Sequence, residues 1–185
     1  MKLQEIINGI NILETKGNCD LEISNIHIDS RKVEENHLFV AVKGTQTDGH
    51  AYISKAIEKG AKAIVCETFP EDIKDDITYI KVANTEDCVG KMATTFYGDP
   101  TSKLELIGVT GTNGKTTVAT IIQELMGKDI CAYLGTNGLI YKDITESIIN
   151  TTPDADRLYK YFDRVVDSGC KFLSMETSSE AFYRE

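Results

Sequence analysis

The chain has 185 residues, of which 41% are hydrophobic and 26% charged, the balance of a globular protein with a buried core. A net charge of −9 excludes the broad basic footprint of a nucleic-acid binder but leaves room for a local phosphate site. No apolar run approaches the roughly 20 residues of a membrane span, and "MKLQEIINGI" is too polar for a signal peptide, so no membrane partner is expected.

In chain order, residues 2–9 read as a short helix, and "SNIHIDS" (24–30) alternates as a half-buried strand does. "HLFVAVKG" (37–44) reads as a second strand. Ile53, Ala56 and Ile57 mark a helix over 50–59 that Gly60 closes. "KAIVCE" (62–67) and "ITYIKV" (77–82) read as strands, and Val89, Met92, Ala93, Phe96 and Tyr97 define a helix over 85–97. "YGDPTSK" (97–103) breaks the pattern, which places a boundary between domains 1–99 and 100–185. Strand and helix then alternate again. Strands are expected at 104–109, 130–135 and 171–176, with helices at 115–126 and 153–168. In the first of these helices Val118, Ile121, Ile122, Leu125 and Met126 share one face, and in the second Leu158, Tyr161, Phe162, Val165 and Val166 do. The alternation implies an α/β protein with parallel sheets covered by helices. Three strands are few for a nucleotide domain, so the second domain reads as truncated.

The five cysteines (Cys19, Cys66, Cys88, Cys131, Cys170) include no C-x-x-C pair and read as reduced thiols, as in a cytosolic protein. His27, His37 and His50 lack metal-ligand spacing, and no protein-held zinc site is expected.

Chemistry concentrates in "GVTGTNGKTTVATI" (108–121). Gly111, Thr112, Asn113, Gly114, Lys115, Thr116 and Thr117 follow a strand and open a helix. Glycines there let successive N–H groups face one concavity, and the helix start adds partial positive charge. Lys115 can reach the β- and γ-phosphates of ATP, and the Thr116 hydroxyl can join a Mg²⁺ shell. The strict G-x-x-x-x-G-K spacing would need glycine where Val109 stands, so the loop is a variant. Glu176 ends a predicted core strand, where it either holds Mg²⁺ or simply faces water. In "NTTPDADRL" (150–158), Thr152 before Pro153 suits a helix N-cap, a position that also binds anions. Ser30 and Arg31 after one strand, and Thr45-Gln46-Thr47-Asp48-Gly49 after the next, form polar turns that are either surface loops or a diphosphate or sugar site.

These pieces in this order resemble the Mur ligases, and within them the branch that adds the third amino acid of the peptidoglycan stem. "DSR…LFVAVKG…DGH" resembles that branch's N-terminal domain, "GVTGTNGKTT" the family's ATP loop, and "NTTP" with "METSS" its substrate loop and magnesium strand. The resemblance implies a cytoplasmic ligase, monomeric at full length, that uses ATP and Mg²⁺ to join an amino acid to UDP-N-acetylmuramoyl-L-alanyl-D-glutamate through an acyl phosphate. It assigns Gly111–Thr117 to ATP, Lys115 and Glu176 to catalysis, and Thr116 and Glu176 to the metal. Ile28, Ser30, Thr45, Gln46 and Thr47 would contact the UDP moiety, and Asn150, Thr151, Thr152 and Ser178 the muramoyl peptide. Glu180 stands where the family commonly has histidine. The carbamylated lysine, an arginine and the C-terminal domain that the family pattern carries further on are not among these residues, so the chain alone is expected not to ligate. Two alternatives remain at this point. One is another Mur-type ligase, such as that adding the final dipeptide. The other is a non-catalytic module binding the UDP-muramoyl ligand. A small independent P-loop kinase fits less well, because little chain follows the loop.

Overall fold

The computed structural model describes residues 1–44, 47–148 and 152–178. The chain divides into two compact units, Met1–Phe96 and Tyr97–Glu185.

The first unit holds five strands: β1 (Ile12–Lys16), β2 (Asn25–His27), β3 (His37–Val40), β4 (Ala63–Cys66) and β5 (Thr78–Val82). Its helices are α1 (Leu3–Ile6), α2 (Ile53–Glu58) and α3 (Glu86–Phe96). The sheet order is β1-β5-β4-β3-β2, with β2 to β5 parallel and β1 antiparallel to β5. β3 and β4 are buried at every position, as strands covered on both faces must be. Phe39, Ile64, Cys66 and Tyr79 join Ile53 and Ala56 of α2 in one cluster. The alternate residues Leu38, Val40, Val65 and Ile80 are also fully buried. β1 went unread in the sequence because it lies at the sheet edge, and four of its five residues are exposed. The predicted helix over 50–59 begins instead as a 3₁₀ turn, Gly49–Tyr52.

The second unit holds β6 (Glu105–Val109), β7 (Cys131–Gly135), β8 (Gly138–Tyr141), β9 (Ile144–Glu146) and β10 (Phe172–Glu176), with α4 (Lys115–Met126) and α5 (Ala155–Asp167). The order is β6-β10-β7-β8-β9. β6, β10 and β7 are parallel as expected, and β8 and β9 extend the sheet as antiparallel hairpin strands that the sequence reading missed. The sheet is therefore mixed. α5 supplies Tyr161, Phe162 and Val165 to a core with Leu134, Leu139, Leu173 and Met175. Its predicted start is corrected: Asp154, not Thr152, occupies the N-cap, because the Thr152 hydroxyl is committed elsewhere.

The apolar face of α4 is the second correction. Val118, Ile121 and Leu125 are exposed, Leu125 by 83%, while Ala119 and Gln123 are buried. α4 packs on β10 and β7 through the stripe that carries Thr116, Ala119, Thr120 and Gln123. Two polar attachments set this rotation. The Thr116 hydroxyl donates to Glu176 at 2.9 Å. The Gln123 amide donates to the Ile140 carbonyl at 2.8 Å and to that of Cys131 at 3.2 Å. Turning α4 away would strip both groups of these partners, at a cost of about 1–3 kcal/mol for each polar group left unsatisfied.

Candidate functional site: a phosphate loop and a buried carboxylate

β6 leads into the glycine loop and α4 leaves it. Gly114 stands at the N-cap of α4 with left-handed φ 81°, a conformation that favours glycine. No side-chain cap consumes the N–H groups of the first turn. A twelve-residue helix thus presents free donors and the positive end of its dipole at the loop. Thr112, Asn113 and Thr117 are exposed around it. The Lys115 ammonium folds back and donates to the Gly111 carbonyl at 2.8 Å, which keeps a mobile cation beside those donors.

Glu176 is the last residue of β10 and is 1% exposed. Its carboxylate is saturated with donors. Oε1 accepts from the Tyr133 hydroxyl and from the Thr136 N–H at 2.9 Å. Oε2 accepts from the hydroxyls of Thr116 at 2.9 Å and Thr136 at 3.3 Å. Burial pushes the Glu176 carboxyl up, but the hydrogen bonds from Tyr133, Thr136 and Thr116 outweigh it, so its pKa lies below the ordinary carboxylate value. Burial, and then the bond to Glu176, push the Tyr133 phenol up to about 12. An ionised carboxylate beside a threonine hydroxyl at the mouth of a phosphate loop suits Mg²⁺, a hard cation that takes few protein oxygens alongside phosphate and water. The sequence reading passed over Tyr133 and Thr136. Thr136 follows the carboxyl end of β7 directly, the position where open α/β sheets gather ligands, and that rule could have found it.

Thr152 and Ser178 meet at the backbone end of β10. The Thr152 hydroxyl donates to the Glu176 carbonyl at 3.2 Å and accepts the Ser178 N–H at 3.1 Å. Asn150, Thr151 and Glu180 lie outside the described residues.

In the first unit, parallel pairing of β2 with β3 puts Ile28 and Ser30 on the same sheet edge as the loop after β3. Ile28 is half-buried, Ser30 buried and Thr47 exposed, and Thr45 and Gln46 lie outside the described residues. The Asp29 carboxylate caps the 3₁₀ turn through the Arg31 N–H and pairs with the Arg31 guanidinium. His50 anchors the end of the second loop. Its Nε2 accepts the Glu67 N–H at 2.8 Å, so the ring proton sits on Nδ1 and goes to Asp48 at 2.7 Å. Bonds from the His50 backbone and ring hold the Asp48 carboxyl below its ordinary pKa. An open groove of about 760 Å³ lies at the other edge of this sheet, among Asn36, Lys62, Asp75 and Thr78. Ligands of such sheets gather at the carboxyl ends of the strands, so the groove is not the candidate site.

Among the described residues no helix is long and apolar enough to cross a membrane, and no cluster of three His, Cys, Asp or Glu forms a metal site.

Comparison with known proteins agrees with this architecture. Residues 22–97 match the model described as "Mur ligase family, catalytic domain", and residues 109–184 match "Mur ligase middle domain". The UDP-N-acetylmuramoyl-L-alanyl-D-glutamate–2,6-diaminopimelate ligase of Phocaeicola vulgatus is 55% identical over 98% of this chain, and that of Bacteroides fragilis 49% over 98%. The chain spans 38% of the length of each. A solved diaminopimelate ligase of the same name superposes with TM-score 0.73 at 27% identity, covering 100% of this chain and 37% of that one. The ADP complex of a MurF ligase from Thermotoga maritima superposes with TM-score 0.57 at 25% identity, covering 84% and 32%. With a glycine loop at the start of α4, a buried carboxylate at the end of β10 and two successive family matches over most of its length, the chain belongs to the Mur ligase family.

Proposed function

We propose that this chain carries the donor-substrate and phosphate-binding parts of an ATP-dependent ligase that joins 2,6-diaminopimelate to UDP-N-acetylmuramoyl-L-alanyl-D-glutamate. The observation that carries the reading is the Thr116–Glu176 contact at the open end of a helix that begins at Lys115. The diaminopimelate ligases at 55% and 49% identity support the choice of substrates.

In this reading the N–H groups of Gly111–Thr117 and the Lys115 ammonium hold the β- and γ-phosphates of ATP. Lys115 leaves the Gly111 carbonyl for a γ-oxygen. Thr116 and Glu176 would hold Mg²⁺, which when bound supplies neutralising charge to the phosphates. Thr152, bonded to the Glu176 backbone carbonyl, and Ser178, bonded to Thr152, orient the terminal carboxylate of the muramoyl peptide toward the γ-phosphorus. A carboxylate oxygen bonds to that phosphorus as the bond to the bridging oxygen of ADP breaks. The amine nitrogen of diaminopimelate then attacks the acyl carbon, loses a proton and expels phosphate. Positioning and charge neutralisation carry most of the rate in such transfers. Ile28, Ser30 and the Thr45–Thr47 turn contact the UDP moiety, and the enzyme works as a cytoplasmic monomer.

Titration calorimetry tests the reading. The chain is expected to bind UDP-N-acetylmuramoyl-L-alanyl-D-glutamate more tightly than the analogue lacking D-glutamate or the finished tripeptide. Lys115→Ala is expected to lose ATP binding while keeping UDP-ligand binding. A preference for the tripeptide would point instead to the ligase that adds the final dipeptide. UDP-ligand binding with no ATP binding at all would identify a non-catalytic module.

A further inference from the structure

Glu176 has two oxygens with different surroundings, and the difference has a chemical meaning. Oε1 is filled by the Tyr133 hydroxyl and the Thr136 N–H, which together take both lone-pair directions of that oxygen. The backbone N–H cannot turn away. The Tyr133 hydroxyl is held in turn, because its oxygen accepts from the Asn137 N–H at 3.4 Å. Its own proton is left for Glu176. Among the described residues Oε2 meets the hydroxyls of Thr116 and Thr136, and a hydroxyl can rotate to offer a lone pair to a cation. Gly135 completes the arrangement. A Cβ there would fall 2.6 Å from the Tyr133 oxygen and 2.7 Å from Glu176 Cδ, so only glycine lets the carboxylate lie against the strand.

We propose that Tyr133 is the positioning residue of the metal site, clamping Glu176 Oε1 so that the divalent cation is bound through Oε2 alone together with the Thr116 hydroxyl. The proposal rests on the ligase reading above for the presence of a cation. Groups that orient a ligating carboxylate are expected to alter metal affinity by about 10- to 100-fold when removed. A phenylalanine at 133 keeps the ring in its packing and deletes only the hydroxyl, freeing Glu176 to rotate.

The test uses Mn²⁺ as the probe, followed by electron paramagnetic resonance, with a fluorescent ATP analogue titrated both in chelator and in Mn²⁺. Tyr133→Phe is expected to bind Mn²⁺ about 10-fold more weakly, while its metal-free nucleotide affinity stays at the wild-type value. Gly135→Ala, which displaces the carboxylate by contact, is expected to show the same split. Unchanged Mn²⁺ affinity in both variants overturns the proposal. So does a parallel fall in metal-free nucleotide affinity, which would make Tyr133 a packing residue only. If the wild-type chain binds nucleotide with no Mn²⁺ dependence, the metal site of the ligase reading fails as well, an outcome distinct from the other two.

Discussion

Gln123→Glu is a demanding test of how α4 is set on its sheet. Gln123 is 2% exposed, and its amide donates to two backbone carbonyls, those of Cys131 and Ile140. The substitution conserves size and replaces the two-proton donor by an acid. A carboxylate facing two carbonyls at that depth cannot ionise without loss, so in the folded state the side chain keeps its proton and its pKa rises by up to about 3–5 units. Protonated, it still donates one bond, so below its unfolded pKa of about 4.3 the variant loses about 1 kcal/mol. Above that value the unfolded chain ionises and the folded chain does not. The stability deficit then grows by about 1.4 kcal/mol per pH unit until the folded pKa is reached. At pH 7 the total is about 4–5 kcal/mol if the folded pKa lies near 7. The second unit is the size of domain whose midpoint moves by about 4–8 °C per kcal/mol. Circular dichroism melts of variant and wild type, paired at each pH from 4 to 8, should show a gap that widens steeply with rising pH. A constant gap across that range, or none, would refute the placement of Gln123 and with it the account of α4's rotation.

Other consequences are simpler to measure. Leu125→Lys, at an 83% exposed position, should change stability by no more than about 0.5 kcal/mol in denaturant melts; a loss of several kcal/mol would mean that the apolar stripe of α4 is core after all. Thr152→Val should cost about 1 kcal/mol and speed amide exchange at Ser178, because the hydroxyl that accepts that N–H is gone. Burial pushes the Cys66 thiol up to about 11, so alkylation of the folded protein at pH 8 should reach half-buried Cys19 well before Cys66. Because the Cys66 pKa is raised on folding, its neutral thiol contributes stability fully below about pH 8.5, and that contribution should fade as the pH climbs toward 11.

Much of the fold can be read in the chain because its signals are local. Parallel strands such as β3 and β4 are buried on both faces and appear as short unbroken apolar runs, and α5 shows its stripe at helical spacing. The glycine loop is legible because only a few residue types let a backbone turn and expose its N–H groups before a helix. β1 and β9 escaped because they are largely exposed, so neither alternation nor an apolar run marks them, and β8 escaped because its four-residue run GLIY falls between two turns with no helix to frame it. The start of α5 was misplaced because Thr-Pro is a good local cap, and the competing claim on Thr152 comes from a strand 24 residues away.

Residue types and their order along the chain thus decide that a glycine loop opens α4, that a carboxylate ends β10, and which family the pattern resembles. They do not decide which way α4 faces. Periodicity points its apolar stripe inward, yet the folded unit turns that stripe outward, because Thr116 and Gln123 find partners on β10, β7 and β8, and each polar group left without one would cost about 1–3 kcal/mol. Nor could sequence alone bring Tyr133, Thr136 and Thr116 onto one carboxylate. Those contacts span 40 to 60 residues and exist only because parallel pairing puts the ends of β7 and β10 side by side.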